Sequence, residues 1–147
     1  MKRNFYALFA FLSVFIFSSC RKSNDVATQQ SIEGTWAITG IASDRAYDFN
    51  GDGYTETDIY RSYPACGRDI AVGFTAGGYG QIRQGCNAPW QNITWRFTNN
   101  NRNLTIVLPD DDLNLALQQF DNYTIRGVDE VQINGRYFNI TYTFQRR

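Results

Sequence analysis

Residues 138–144 of the 147-residue chain read Phe-Asn-Ile-Thr-Tyr-Thr-Phe, an alternation of apolar and polar side chains. Successive side chains of a β-strand point to opposite faces, so this period of two predicts a strand with one buried face. Residues 93–98 alternate in the same way, and residues 104–108 do so except at Val107. Weaker strand candidates cover residues 35–42, 70–74, 78–84, 123–128 and 130–133.

Turn signals separate these candidate strands. Asn134-Gly135 lies between two of them and predicts a two-residue hairpin, and Asn50-Gly51 and Asn99-Asn100-Asn101 mark further turns. Only residues 110–119 are predicted to be helical, because three aspartates at their start suit a helix N-terminus. About eight strands in roughly 116 residues must close as a barrel or fold as a sandwich, so the predicted class is all-β.

The composition excludes several kinds of function. Lys and Arg total 14 and Asp and Glu total 14, so no basic field is available for nucleic acid. The chain contains no His, which removes His-based triads, His metal sites and a near-neutral proton shuttle. The acidic run Asp110-Asp111-Asp112 is typical of a solvated loop and offers no defined carboxylate pair. We therefore expect a single non-catalytic domain.

The first residues form a separate unit. A basic start, Met1-Lys2-Arg3-Asn4, precedes an apolar stretch at residues 5–17 that is too short for a membrane-spanning helix of roughly 20 residues. It ends in Ser18-Ser19-Cys20, which resembles the lipobox of bacterial lipoproteins. The resemblance implies that residues 1–19 are a signal peptide and that Cys20 receives a diacylglycerol and further acyl chains such as palmitate. Ordinary secretory cleavage near Ser19, with Cys20 left free, is the alternative.

Residues 20–31 are polar, lack periodicity and contain no aromatic side chain, so they read as the lipidated cysteine and a flexible tether. The tether resembles those of surface lipoproteins of Bacteroidota. The resemblance implies a cell-envelope protein held in the outer membrane, facing either the periplasm or the medium. The membrane is then one partner of the chain, and residues 32–147 form its folded domain.

Gly34-Thr35-Trp36 stands at the start of that domain and matches the Gly-x-Trp motif with which lipocalins begin. Asp48-Phe49-Asn50-Gly51-Asp52-Gly53 follows it, and Cys66 and Cys86 come later. This order resembles the lipocalin-like domains of Bacteroidota lipoproteins. The resemblance implies an antiparallel up-and-down barrel of about eight strands, in which Trp36 plugs the closed end. It also implies that an arginine near the last strand, Arg146 or Arg147, packs on Trp36.

If Cys20 takes the lipid, as the lipobox resemblance implies, Cys66 and Cys86 remain. An exported chain is oxidised, and two cysteines allow only one intramolecular pairing, so we expect a Cys66–Cys86 disulfide. Free or intermolecular thiols are the alternative.

The acidic, glycine-rich loop resembles the front half of an EF-hand calcium loop, with oxygen ligands at alternate positions before Gly53. The twelfth position departs from that pattern, because Ile59 stands where Glu is expected. The other interpretation is a tight turn whose side chains only cap backbone groups. The residues that could hold calcium are Asp48, Asn50, Asp52, Tyr54, Glu56 and Asp58.

Two functions are open for such a domain. A barrel with one open mouth would hold a small hydrophobic ligand, as the lipocalin resemblance implies. A solidly packed barrel would instead act through its outer surface, as an envelope structural piece or as a binder of a protein or glycan, and Tyr79-Gly80-Gln81 and Trp90-Gln91-Asn92 could stack on sugars. The aromatic residues that could line either the core or a ligand pocket are Trp36, Trp95, Phe97, Tyr123, Phe138 and Tyr142.

Overall fold

The structure, a computed structural model, describes residues 30–147. The expected signal peptide, Cys20 and most of the expected tether lie outside the described residues. The described part contains nine strands, one short α-helix and a single 3-10 turn at Ala76–Gly78. In chain order the strands and the α-helix are β1 Gly34–Tyr47, β2 Glu56–Asp58, α1 Ile59–Ser62, β3 Ile70–Thr75, β4 Tyr79–Gln84, β5 Gln91–Thr98, β6 Asn103–Val107, β7 Asp112–Phe120, β8 Thr124–Ile133 and β9 Arg136–Arg146.

Eight of the strands form a closed antiparallel ring. Neighbours in the ring follow the order β1, β3, β4 and so on to β9, and β9 pairs again with β1 from Trp36↔Arg146 to Ser43↔Ile140. The three-residue strand β2 stays outside the ring and pairs only with the second half of β1. The predicted all-β class and the up-and-down barrel of about eight strands are confirmed, and the architecture fits a lipocalin-like domain.

The pairing gives the barrel two distinct ends. Residues 31–33 precede β1 at one end, which also carries the turns after β3, β5 and β7 and is called the Trp36 end below. The opposite end carries the long segment 48–69 and the loops after β4, β6 and β8. It is called the disulfide end, because Cys66 and Cys86 lie in two of these loops.

The core is the inside of the ring. Period-two strands place every second side chain there, and the largest side chains with less than 2% exposure include Trp36, Phe74 and Phe144. The indole N–H of Trp36 donates to the carbonyl of Ile32 at 2.8 Å. The guanidinium carbon of Arg146 lies 4.3 Å from the centroid of the Trp36 ring. The expected packing of an arginine near the last strand on Trp36 is therefore confirmed, and the arginine is Arg146.

The helix predicted at residues 110–119 is wrong, because most of this segment forms β7. Leu113 and Leu115 pair with Ile106 and Leu104 of β6, so the alternating leucines fill one inward face. Asp110 and Asp111 belong to the β6–β7 turn and Asp112 is the first residue of β7, so none of the three stands at a helix N-terminus. Likewise, the two candidates at 123–128 and 130–133 are one continuous strand, β8, in which Asp129 is an inward-facing position.

Candidate functional site

The interior of the barrel is filled by its own side chains. Gly127 faces inward between Leu117 and Tyr142, and a Cβ added there would lie 2.8 Å from Cβ of Leu115. At the disulfide end, Ile59 of α1 is only 6% exposed and belongs to the core cluster. Tyr47, Phe49 and Phe138 pack beside it, with ring centroids between 5.2 and 5.6 Å apart. The long segment 48–69 therefore closes this end with apolar side chains.

The six aromatic residues expected in the core or a pocket fall into three groups. Trp36 and Phe138 are buried in the core. Trp95, Phe97 and Tyr142 are half-buried and pack against it. Tyr123 is 76% exposed in the turn before β8, so it does not belong to the core, which was one of its two expected places. The strand candidate at residues 123–128 begins one residue too early, since β8 starts at Thr124.

Two ionisable groups lie within this apolar interior. Asp129 is 8% exposed, and its Oδ2 accepts the backbone N–H of Asn114 at 3.2 Å. Burial raises the pKa of Asp129, and the hydrogen bond from Asn114 opposes that rise. Burial, followed by the charge of Asp129, raises the pKa of Tyr142 to about 12. Sequence reasoning missed Asp129, because a charged residue at that point seemed to separate two strands.

A cleft of about 390 Å³ opens at the Trp36 end. Trp95 and Phe97 of β5 line it, together with Ile32 and Asn101. The rings of Trp95 and Phe97 meet edge to face, with their centroids 5.8 Å apart. Two of the aromatic residues predicted for a ligand pocket therefore border a cavity of a size suited to a small molecule.

The expected disulfide between Cys66 and Cys86 is confirmed, with Cα atoms 5.0 Å apart. It joins the segment between α1 and β3 to the β4–β5 loop. Nearby, Asp69 forms ion pairs with Arg83 at 2.9 Å and with Arg147 at 3.2 Å. The hydrogen bond from Arg147, followed by the charge of Arg83, lowers the pKa of Asp69. The disulfide and the Asp69–Arg83 pair thus cross-link the disulfide end, while the Asp69–Arg147 pair connects it to the residue that follows β9.

The acidic loop brings together half of the residues predicted to hold calcium. Carboxylate oxygens of Asp48, Asp52 and Glu56 lie within 4.8 Å of one another, a donor set that suits a hard divalent cation. Asn50 contributes to the same turn, where its amide donates to Asp52 Oδ2 at 2.9 Å. Tyr54 is 78% exposed, and its backbone N–H donates to Asp52.

The same oxygens already accept backbone N–H groups. Asp48 accepts from Gly51 at 2.7 Å, from Asp52 at 3.1 Å and from Gly53 at 2.9 Å. Asp58 stands apart from the loop, because it caps α1 by accepting from the backbone N–H of Arg61. Hydrogen bonds of this kind are what the second interpretation of the loop, a turn whose side chains cap backbone groups, predicts.

On the outer face of the barrel, four strands bring one row of side chains into register. Thr35 of β1 pairs with Gly73 of β3, Gly73 with Gln81 of β4, and Gln81 with Asn92 of β5. Since Gly73 has no side chain, the row contains a gap, which is the floor of a cleft of about 420 Å³. We call this the outer cleft.

Two exposed aromatic rings border the outer cleft. Tyr79, two residues before Gln81 on β4, is 66% exposed, and Trp90, two residues before Asn92, is 44% exposed. The sequence singled out both aromatic triplets as possible sugar platforms, and the structure brings them into one cleft. Thr35 and Gly73 were not predicted as members, because only strand register shows that they face Gln81. Residues 30–147 contain no helix with the length and hydropathy that crossing a bilayer requires.

Comparison of the chain with protein-family models, curated proteins and solved structures finds no match.

Proposed function

We propose that the chain is a lipoprotein of a bacterial cell envelope, held in the outer membrane by acyl chains on Cys20. In this proposal residues 1–19 are the signal peptide, residues 20–31 carry the lipid and the tether, and residues 32–147 are the barrel domain. The basic and then apolar start before Ser18-Ser19-Cys20 supports it. The disulfide supports it as well, because disulfides persist in exported rather than cytosolic proteins.

The resemblance to lipocalin-like lipoproteins of Bacteroidota belongs to the same proposal. Its motifs are the Gly34-Thr35-Trp36 start, the acidic loop at residues 48–53 and the cysteine pair. The closed barrel and the disulfide fit that resemblance at the level of the fold.

We infer that the barrel works by binding at its outer surface and catalyses no reaction. The observation that carries this inference is the filled interior, in which Gly127 has no room for even one additional methyl group. The chain also contains no His to act as an acid or base near neutral pH. A protein of this kind meets its partner, a glycan or another envelope protein, on its outer faces.

A small hydrophobic ligand is the second candidate. The cleft at the Trp36 end favours it, because Trp95 and Phe97 offer apolar surface there. Its volume of about 390 Å³ lies within the range of roughly 300–1,000 Å³ that is usual for small-molecule sites.

Native mass spectrometry of the protein extracted from its own envelope tests both proposals. We expect the mature chain to begin at Cys20 and to carry the mass of two or three acyl chains, and a Cys20→Ala variant to lack them. We expect no further small-molecule mass, and a bound apolar compound of a few hundred daltons would favour the second candidate instead. An unmodified Cys20 in the mature protein would overturn the membrane anchor.

A further inference from the structure

We propose that the outer cleft binds a neutral glycan, with a sugar ring seated over the Gly73 gap between Tyr79 and Trp90. The inference rests on the proposed surface role and names its ligand class and its site.

The aromatic rings supply the first argument. Tyr79 and Trp90 stand on opposite sides of the row formed by Thr35, Gly73, Gln81 and Asn92, one toward each end of the barrel. Large aromatic side chains left 66% and 44% exposed at the border of one depression form an apolar contact surface that water covers poorly. The C–H faces of pyranose rings pack on such aromatic faces, while their hydroxyl groups point sideways to polar partners.

The polar groups of the row supply the second argument. The side-chain amide of Gln81 donates to Oδ1 of Asn92 at 3.2 Å. Within the described residues, this contact uses neither the amide oxygen of Gln81, which can accept a hydrogen bond, nor the amide nitrogen of Asn92, which can donate one. A sugar hydroxyl both donates and accepts, so it matches such a pair of neutral amides.

Charge selects the class of glycan. All residues that line the outer cleft are uncharged. A carboxylate or sulfate group bound there would lose hydration without a charged partner among the lining residues, and the nearby guanidinium of Arg83 is already paired with Asp69, so binding of such a group is unfavourable. The cleft therefore suits a neutral sugar better than an acidic polysaccharide or an anionic peptide.

The cleft is held rigidly, so little ordering is needed on binding. The indole N–H of Trp95 donates to the carbonyl oxygens of Tyr79 at 2.8 Å and Thr75 at 3.2 Å. On the other side, the guanidinium carbon of Arg83 lies 5.5 Å from the centroid of the Trp90 ring, and Arg83 is itself paired with Asp69.

A second cleft extends the surface beyond one sugar. It measures about 530 Å³, shares Tyr79, Gly80 and Asn92 with the outer cleft, and reaches Val107 and Pro109. Tyr79 is therefore a ridge between two depressions. A ligand of at least two sugar units would cross this ridge, with one unit on each side.

Affinity electrophoresis in native gels tests the inference on the folded protein. The probes are four neutral polysaccharides, namely glycogen, laminarin, galactomannan and xylan, and polygalacturonate serves as the acidic counterpart. The variants are Tyr79→Ala, Trp90→Ala and Gly73→Val. A Cβ at residue 73 would have only the carbonyl oxygen of Gln81 nearby, at 3.9 Å, so valine fills the cleft without disturbing the strand. Tyr137→Ala, at a ring 56% exposed on the β8–β9 hairpin, is the matched control.

We expect at least one neutral polysaccharide to retard the wild type and Tyr137→Ala equally. Each cleft variant should bind about 10-fold more weakly or worse. Polygalacturonate should retard none of the proteins. If no neutral polysaccharide retards the wild type, or if Gly73→Val and Trp90→Ala bind as the wild type does, the glycan inference is wrong. Neither result touches the surface role, which is tested separately by the search for a bound apolar compound in native mass spectrometry. A protein would then be the remaining partner for the outer surface.

Discussion

Arg146 and Trp36 join the last strand of the barrel to the first at the Trp36 end. The guanidinium stacks on the indole ring and also donates to three carbonyl oxygens, those of Asn122, Glu33 and Ser31. One side chain thereby links β9, the β7–β8 turn and the segment that leads into β1. The cation–π contact and the three hydrogen bonds all require the planar, multiply donating guanidinium group of arginine.

We expect Arg146→Ala to lower the free energy of unfolding by about 2–4 kcal/mol, since a cation–π contact and charge-assisted hydrogen bonds are lost together. Urea denaturation monitored by tryptophan fluorescence measures the change. Arg136→Ala, at an exposed arginine of the β8–β9 hairpin, is the control and should stay near the wild type. Equal effects of the two substitutions would contradict a special role for Arg146.

The Cys66–Cys86 bond closes a loop with a sequence separation of 20. In the chain-entropy model such a cross-link contributes about 3 kcal/mol, so the double variant Cys66→Ser/Cys86→Ser should lose stability by about this amount. Denaturation of the oxidised wild type, the reduced wild type and the double variant checks it. The last two should agree, and two free thiols in the oxidised mature protein would show that the bond is absent.

The filled interior makes Gly127 intolerant of a side chain. Gly127→Ala should cost about 1–3 kcal/mol, because its methyl group would overlap Leu115 and force the strands apart. Gly73→Ala is the same chemical change on the outer face, where the new atom meets only the carbonyl oxygen of Gln81, at an ordinary contact distance of 3.9 Å. It should be nearly neutral in the same denaturation assay. A well-tolerated Gly127→Ala would reveal spare volume inside the barrel and would favour an internal ligand.

Asp129 makes stability depend on pH in an unusual direction. Because burial raises its pKa, the folded state holds the proton more tightly than the unfolded state does. The ionised carboxylate therefore destabilises the fold progressively as pH rises above the ordinary value of 3.8. We expect Asp129→Asn to gain stability relative to the wild type between about pH 3 and about pH 7.

Asp69 gives the opposite control for that measurement. Its pKa is lowered chiefly by the hydrogen bond from Arg147, so its contribution is present above 3.8 and is lost as pH falls. Asp69→Asn should therefore lose stability relative to the wild type over the same rise in pH. A flat difference between Asp129→Asn and the wild type would show that Asp129 is solvated in the fold.

Asp48 organises the acidic loop by accepting three backbone N–H groups. We expect Asp48→Ala to lower the unfolding free energy by about 1 kcal/mol or more, equally with calcium and with a chelator. Asp110→Ala, in the exposed β6–β7 turn, is the control. A calcium-dependent rise in the Tm of the wild type that Asp48→Ala abolishes would instead assign the three carboxylates to a cation.

Local patterns predicted most of the barrel. The alternation at residues 138–144 identified β9, and Gly34-Thr35-Trp36 does stand at the start of β1, with Arg146 packed on Trp36 as the lipocalin resemblance implies. The failure at residues 110–119 is instructive, since the aspartates match a helix N-terminus while Leu113, Leu115 and Leu117 follow the period of a strand. Pairing with β6 decides between the two, and such pairing between strands is not visible in one segment alone.

The sequence predicted some residues of the outer cleft but not that they lie together. Tyr79 and Trp90 stand out as aromatic residues beside neutral polar ones, but nothing local shows that they share a surface. The proximity of Tyr79 and Trp90 depends on the β4–β5 register, in which Gln81 pairs with Asn92. The depression between them depends on Gly73 of β3, which pairs with Gln81. A glycine in the middle of a predicted strand was the one signal that a surface depression lies there.

The closure of β9 onto β1 also bears on how the protein behaves when it is crowded with copies of itself. A ring has no terminal strand whose backbone groups could recruit a strand from another molecule. In the part of the chain that the structure describes, the strand left outside the ring is β2, with the sequence Glu56-Thr57-Asp58. It is too short to template an extended partner, and its two negative charges repel a second copy aligned beside it. The fold thereby protects a β-rich chain from edge-to-edge aggregation.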